Sequence, residues 1–315
     1  MSAASDRGKV AFVFPGQGSQ YVGMGKALFE VSQAAQRVFQ QADEVLGFSL
    51  SKLCFEGPAD ELEDTINAQP AILTVSIACL AALRERLDAL GRSIKPVAVA
   101  GHSLGEFTAL VAAGAIEFSD ALQIVRERAR LMKETGSAKP GGMAAIIGLN
   151  AETLEEVCRE AEAAGVIVLA NSNSPDQRVI SGERRALERA VDLARSKGAR
   201  AIVLPISIAS HSPLMQAAAG VFAELVAKVP FSDPQIPIVA NISGQIMTSA
   251  EEIRRELHDH LLRPVEWVGS VREMIAGGVD TFWEIGPGQV LTRLIQHISG
   301  DVQALNLSDA EIAKL

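Results

Sequence analysis

A serine set between two glycines, Gly101-His102-Ser103-Leu104-Gly105, is the group in this chain best suited to covalent chemistry. Val97-Ala98-Val99-Ala100 ahead of it are small or apolar, and a helical pattern from Phe107 to Ala113 follows, so the motif reads as strand, sharp turn, helix. Such a turn strains the backbone, and the glycines leave room for it. The hydroxyl is pushed into the open at the end of the strand. There the free N–H groups and positive end of the next helix face any oxyanion formed on it. The same spacing also serves a tight strand–helix turn with no chemistry.

A serine nucleophile needs a base within hydrogen-bond reach, and the chain has five histidines. His102 adjoins Ser103, and neighbours on a tight turn point apart, so it reads as packing. His258 and His260 fall on an amphipathic helical pattern and suit surface or satisfied positions. His297 sits in the last helical stretch with no motif around it. His211 lies in Ile208-Ala209-Ser210-His211-Ser212-Pro213, a loop between an apolar strand and a helix, where α/β proteins favour catalytic side chains. A histidine that caps or packs at a helix start is the structural alternative. Residues 201–210 hold no Asp or Glu, so the group that orients His211 is expected to be a backbone carbonyl. That counts against a standard esterase, in which an acid precedes the histidine.

One charge lies on an apolar stripe. After Ser119, Leu122, Val125, Ala129 and Met132 repeat at helical spacing. Arg128 falls three residues after Val125 and four before Met132. An inward arginine keeps its proton and must meet an anion. It either pairs with one of the chain's own carboxylates or holds a carboxylate on a substrate through its two-pronged guanidinium.

The elements that must place these residues can be read in order. A first buried strand, Lys9 to Phe14, ends in the glycine-rich loop Pro15-Gly16-Gln17-Gly18-Ser19-Gln20. Tyr21 stands where a dinucleotide motif needs a third glycine, and Met24 where a phosphate loop needs lysine, so both nucleotide readings fail. What remains is a loop able to bring backbone N–H groups close to a ligand. Helical stretches are expected over Ala27–Leu46, from Ala71 (after Gln69-Pro70) to Leu90, and from Ser119 to about Thr135. Gly136 to Gly142 reads as a linker. The pattern then becomes β-α-β-β-α-β from Met143 to Ile206, a small ferredoxin-like unit inserted into the main body. Helices over Pro213–Lys228, Ala250–Leu262, Val268–Ala276 and Val290–Ile298, with strands Ile236–Ala240 and Thr281–Ile285, complete the chain.

The 315 residues are enough for one large core or two linked ones, and 48% of them are hydrophobic. A net charge of -9 argues against nonspecific nucleic-acid binding. Three widely spaced cysteines fit neither a disulfide framework nor a zinc site, which suits a reducing, cytoplasmic setting. Met1 to Gly8 is polar and small, unlike a secretory leader, and no run approaches the length of a membrane span.

Phe14–Gln20, Gly101–Glu106, Arg128, Gly142–Gly148, Asn173-Ser174-Pro175, Ser210-His211, Pro264-Val265-Glu266-Trp267 and Glu284–Gly288 together resemble the malonyl-CoA:acyl carrier protein transacylases. More broadly, they resemble the acyltransferase domains of fatty acid and polyketide synthases, in family order from about Val10 to Asn306. The resemblance implies an α/β fold: a hydrolase-like domain over 1–137 and 205–315, carrying a ferredoxin-like subdomain over 138–204. It implies Ser103 as nucleophile, His211 as base, the backbone N–H groups of Gln17 and Leu104 as oxyanion donors, and Arg128 as the holder of the malonyl carboxylate. By position, the carbonyl that orients His211 is assigned to His260, and Asn173 lines the cleft. The implied partners are malonyl-CoA and acyl carrier protein. CoA enters as a thioester substrate with no further cofactor or metal, and the enzyme acts as a monomer without nucleic acid or membrane. Ile208 and Ser210 do not decide between malonyl and methylmalonyl units; malonyl is expected from the chain's stand-alone character. A trans-acting loader for a polyketide synthase and, less readily, a serine thioesterase are the alternatives.

Overall fold

The protein is described by a computed structural model over residues 8–314. Of the polar N-terminal stretch expected to hold no leader, only Gly8 falls among the described residues.

The fold is mixed α/β. Among the described residues, ten strands occur in the order β1 Lys9–Phe14, β2 Ala98–Gly101, β3 Gly141–Ile147, β4 Ile167–Ser172, β5 Gln177–Glu183, β6 Arg200–Val203, β7 Ile238–Val239, β8 Ile246–Met247, β9 Val279–Ile285 and β10 Gln303–Leu307. They form one sheet ordered β10-β9-β1-β2-β7-β8 and another ordered β4-β5-β3-β6. In the first sheet all pairs but β7–β8 are parallel. Its central strands are short apolar runs because helices cover both faces. β1 and β2 run in register with Phe14 opposite Gly101. The glycine-rich loop after β1 and the serine turn after β2 therefore leave the sheet side by side, at the carboxyl edge where open α/β sheets bind ligands.

That adjacency explains three glycines. A Cβ on Gly101 would lie 1.9 Å from the Gly105 carbonyl oxygen, one on Gly105 would lie 2.1 Å from Phe14 O, and one on Gly16 would lie 2.4 Å from His102 O. Each contact is with backbone, which cannot swing aside. Gly101→Ala is accordingly expected to cost at least about 3 kcal/mol, by overpacking that only movement of the turn relieves. Thermal or denaturant unfolding of the variant measures it, and a wild-type midpoint would show that the turn adapts freely.

The second sheet is antiparallel and spans the segment between residues 141 and 203, with helices Ala151–Ala161 and Arg184–Ser196 packed on one face around a core of its own. It docks on the rest through main-chain bonds: Ser172 N–H donates to Val265 O, and Val265 N–H donates to Ala170 O. The expected linker is shorter than its composition suggested. The preceding helix, Phe118–Ala138, runs on through Gly136, and only Lys139 and Pro140 separate it from β3.

Two helix expectations are corrected. Ala27–Leu46 is two helices, Lys26–Val31 and Gln33–Leu46, broken at Ser32, whose hydroxyl caps the second by accepting from Ala35 N–H. The helix placed from Ala71 begins at Thr65 and carries Pro70 inside it. Pro70 has no N–H for the Ile66 carbonyl, and the Arg126 guanidinium supplies that donor at 3.0 Å. This helix, Thr65–Ala89, is also long and apolar enough to cross a membrane, contrary to expectation. Most of its length is buried inside the protein, as a core helix. The edge strand β10 was not foreseen. The three cysteines are free and buried.

Candidate active site

Ser103 stands at the turn with a φ of 50°, a left-handed conformation that costs an L-residue on the order of 1–3 kcal/mol. Asn241 over-determines it. Its side-chain oxygen accepts from Ser103 N–H at 2.7 Å, and its amide donates to Gly101 O at 2.8 Å, stapling both sides of the turn. Sequence reading missed this residue. The available signal was a polar side chain directly after the apolar run Ile238-Val239-Ala240.

His211 shares the feature, with a φ of 55°. Its Nε2 lies 2.8 Å from Ser103 Oγ and its Nδ1 lies 3.0 Å from the carbonyl oxygen of Arg263. A carbonyl only accepts, so Nδ1 carries the hydrogen and Nε2 presents its lone pair to the serine hydroxyl. The orienting group is thus a backbone carbonyl, but it belongs to Arg263 and not to His260. The helix Ala250–Asp259 ends before His260, and the following turn brings the Arg263 carbonyl to the imidazole while the His260 side chain turns inward. Burial pushes the His211 imidazole well below its ordinary value of 6.5, and the neighbouring His260 and Arg128 push the same way. The ring is therefore neutral at neutral pH, as a base must be.

Arg128 is 1% exposed and reaches the same point. One terminal nitrogen donates to Gln69 Oε1 at 2.5 Å; the other donates to Ser103 Oγ at 3.1 Å. No carboxylate among the described residues forms a salt bridge with it, so the alternative of an internal ion pair does not hold. Burial draws the guanidinium down to about 10, with Glu106 opposing that shift, and it stays charged at neutral pH. Gln69 is in turn fixed by a chain the sequence did not reveal: its Nε2 donates to Thr65 Oγ1 at 2.8 Å, whose hydroxyl donates to Gln17 Oε1 at 2.9 Å. The side chain of Gln17 is held in this way, and its backbone N–H is left free.

Gln17, Leu104, Ser103, His211, Arg128 and Asn173 line one cavity of about 500 Å³ between the two sheets. Among the described residues, neither Gln17 N–H nor Leu104 N–H donates to a protein acceptor. Asn173 accepts a hydrogen bond at 2.8 Å from Nε2 of His102, so His102, which lines the same cavity, ties the serine turn to the smaller sheet. His258 and His297 lie on the surface, away from the cavity. Among the described residues no group of three His, Cys, Asp or Glu side chains is placed to hold a metal. A polarised alcohol, a neutral imidazole, free N–H donors and an unpaired cation in one crevice can support acyl transfer of a group that ends in an acid.

The acyl transferase domain family matches residues 11–314. The chain is 45% identical over 309 residues to the malonyl CoA-acyl carrier protein transacylase of Bacillus subtilis strain 168, covering 98% of this chain and 96% of that one. Its fold is similar to the solved acyl carrier protein S-malonyltransferase of Vibrio cholerae O1, with a TM-score of 0.90, 41% identity, and coverage of 96% of this chain and 97% of that one. It is also similar to a malonyl-transacylase solved in complex with a type II PKS acyl-carrier protein, with a TM-score of 0.91, 40% identity, and coverage of 96% and 97%.

Proposed function

This chain belongs to the acyl transferase domain family, and from that membership we propose that it transfers a malonyl group from malonyl-CoA to the phosphopantetheine thiol of acyl carrier protein, supplying fatty acid synthesis. His211 Nε2 takes the proton of Ser103 Oγ as the oxygen attacks the thioester carbonyl. The oxyanion is received by the N–H groups of Gln17 and Leu104. Collapse breaks the C–S bond, and the departing CoA sulfur takes the proton from His211. In the second half, the carrier thiol gives its proton to His211 and its sulfur attacks the malonyl-serine ester. Ser103 then leaves with that proton. Arg128 holds the free carboxylate and so fixes the acyl group for both attacks. The proposed steps use only the chain's own residues, the CoA thioester and the carrier thiol, with no further cofactor. The enzyme is proposed to work as a monomer in the cytoplasm.

The observation that carries this reading is the buried, carboxylate-free guanidinium within 3.1 Å of the serine oxygen. The order β4-β5-β3-β6, with one helix between β3 and β4 and another between β5 and β6, supports the finer assignment of 138–204 as a ferredoxin-like subdomain on a hydrolase-like domain of 1–137 and 205–315.

The test is a panel of malonyl-, methylmalonyl- and acetyl-CoA with holo carrier protein present. Malonyl should pass to the carrier faster than it is lost to water, and acetyl should pass slowly. Hydrolysis that outruns transfer would make the protein a thioesterase. The relative solved with a polyketide carrier favours a second reading, a trans-acting loader with the same chemistry; rates with the two classes of carrier protein separate them.

The depressed His211 also fixes the pH profile. The base works when unprotonated, and a lowered pKa keeps it so further into acid. The rate of serine acylation should therefore stay level from about pH 8 down past 6.5, with its acid limb below that ordinary value. A half-maximal rate at or above pH 6.5 would contradict the buried environment seen here.

A further inference from the structure

Behind the cavity lies a second histidine that the steps above do not use. His260 is 1% exposed, and its ring lies 5.9 Å from that of His211, centroid to centroid. Its Nδ1 is 3.5 Å from an Arg128 terminal nitrogen, the same nitrogen that reaches Ser103. Its Nε2 is 3.0 Å from Oε2 of Glu106, a carboxyl with no solvent exposure. A guanidinium only donates, so the nitrogen facing it must be the one without hydrogen. The neutral ring then carries its hydrogen on Nε2, toward Glu106. Asn241 N–H, at 3.3 Å, holds the other oxygen of Glu106.

Glu106, His260 and Arg128 each keep one buried polar atom without a well-aligned hydrogen bond: Oε2, Nε2 and Nε. These three side chains in a row form a polar seam, where Phe107 packs edge-on against the His260 ring at 5.5 Å. Apolar residues would fill this space at lower cost if the seam only supported the fold. What the seam does mechanically is bracket the guanidinium. Gln69 holds one terminal nitrogen and His260 abuts the other, while the buried Glu106 carboxyl backs the ring one ring-width away without touching the cation.

We propose that His260 is a positioning residue which, backed by Glu106, aims the Arg128 guanidinium at the acyl group on Ser103 and thereby sets the preference for an acyl chain that carries a carboxylate. A direct Glu106–Arg128 pair would satisfy the cation and compete with the substrate. The intervening neutral ring keeps the guanidinium oriented and leaves its charge for the ligand. The inference deepens the reading of the same site given above and rests on it.

The experiment compares malonyl with acetyl as acyl donor in wild type, His260→Leu, His260→Gln and Glu106→Gln, with kcat and KM determined separately for each. In His260→Leu the malonyl-to-acetyl ratio of kcat/KM should fall by about tenfold or more, the effect of losing one contact that orients a buried charge. Most of the malonyl loss should appear in KM. His260→Gln can place its carbonyl on Arg128 and its amide on Glu106, and should recover the ratio to within about threefold. Glu106→Gln, which weakens the backing and leaves the ring, should lower the ratio by less than His260→Leu. Because the ratio is taken within one preparation, partial unfolding lowers both arms alike and leaves it unchanged. An unchanged ratio in a folded His260→Leu, or in Glu106→Gln should that one not fold, overturns the proposal. A wild-type enzyme that shows no preference for malonyl overturns the parent reading instead.

Discussion

Ser103→Ala is expected to eliminate the malonyl-enzyme and to lower carrier-protein malonylation by about 10⁴-fold or more. The size follows from the chemistry, since without the hydroxyl there is no covalent intermediate and the reaction falls back on direct attack of one thiol on a thioester. The fold should survive. Alanine occupies the left-handed φ of 50° with no more difficulty than serine, and the staple that enforces the turn uses the backbone N–H of residue 103, which remains. The oxyanion donors, His211 and Arg128 also stay, so the variant isolates one atom. Intact-mass measurement after incubation with malonyl-CoA, followed by peptide mapping in the wild type, reads the result. A malonyl label on any other peptide, or a transfer rate within about tenfold of wild type, would remove Ser103 from the mechanism.

The parts of this site legible in the sequence are those where chemistry or strain restricts residue type. A turn with 1.9 Å and 2.1 Å clearances tolerates only glycine at residues 101 and 105, so the elbow announces itself. A charge on an apolar helical stripe likewise marks Arg128 as inward. Contacts without a side-chain signature were not legible. The carbonyl that orients His211 belongs to Arg263, and any residue type has a carbonyl, so position alone led to His260. The supports also come from far along the chain: 138 residues separate Ser103 from Asn241, and 59 separate Arg128 from Gln69. A buried amide looks like any polar residue until its partner is known. Pro70 shows the opposite failure, in which a sound local rule gave way because Arg126 supplied the donor that proline lacks. β10 escaped because it is half-exposed and pairs only at the sheet edge, which leaves a weak apolar pattern.

Arg128→Ala should lower kcat/KM for malonyl-CoA by about 10²- to 10³-fold while acetyl-CoA loses far less, so that preference for the acid-bearing group disappears. A bidentate, charge-assisted contact in a water-poor pocket contributes several kcal/mol, and each 1.4 kcal/mol is a factor of ten. Acetyl has no carboxylate to forfeit. Stability moves in a less obvious direction. The wild type holds a buried cation with no carboxylate on it, a costly arrangement, and removing it leaves a cavity but also relieves that desolvation. Glu106, which burial already raises to about 8 while Arg128 draws it down, then takes up a proton more readily and avoids becoming an unpaired anion. The loss of selectivity should therefore far exceed any change in the unfolding midpoint. Arg128→Lys should not restore it. An ammonium keeps the charge but lacks the planar fork that reaches Gln69, the serine oxygen and a substrate carboxylate from one fixed plane. Parallel losses for malonyl and acetyl in Arg128→Ala, or full recovery with lysine, would mean that this arginine serves the fold or acts only as a point charge, and the crevice would need another means of recognising its acyl group.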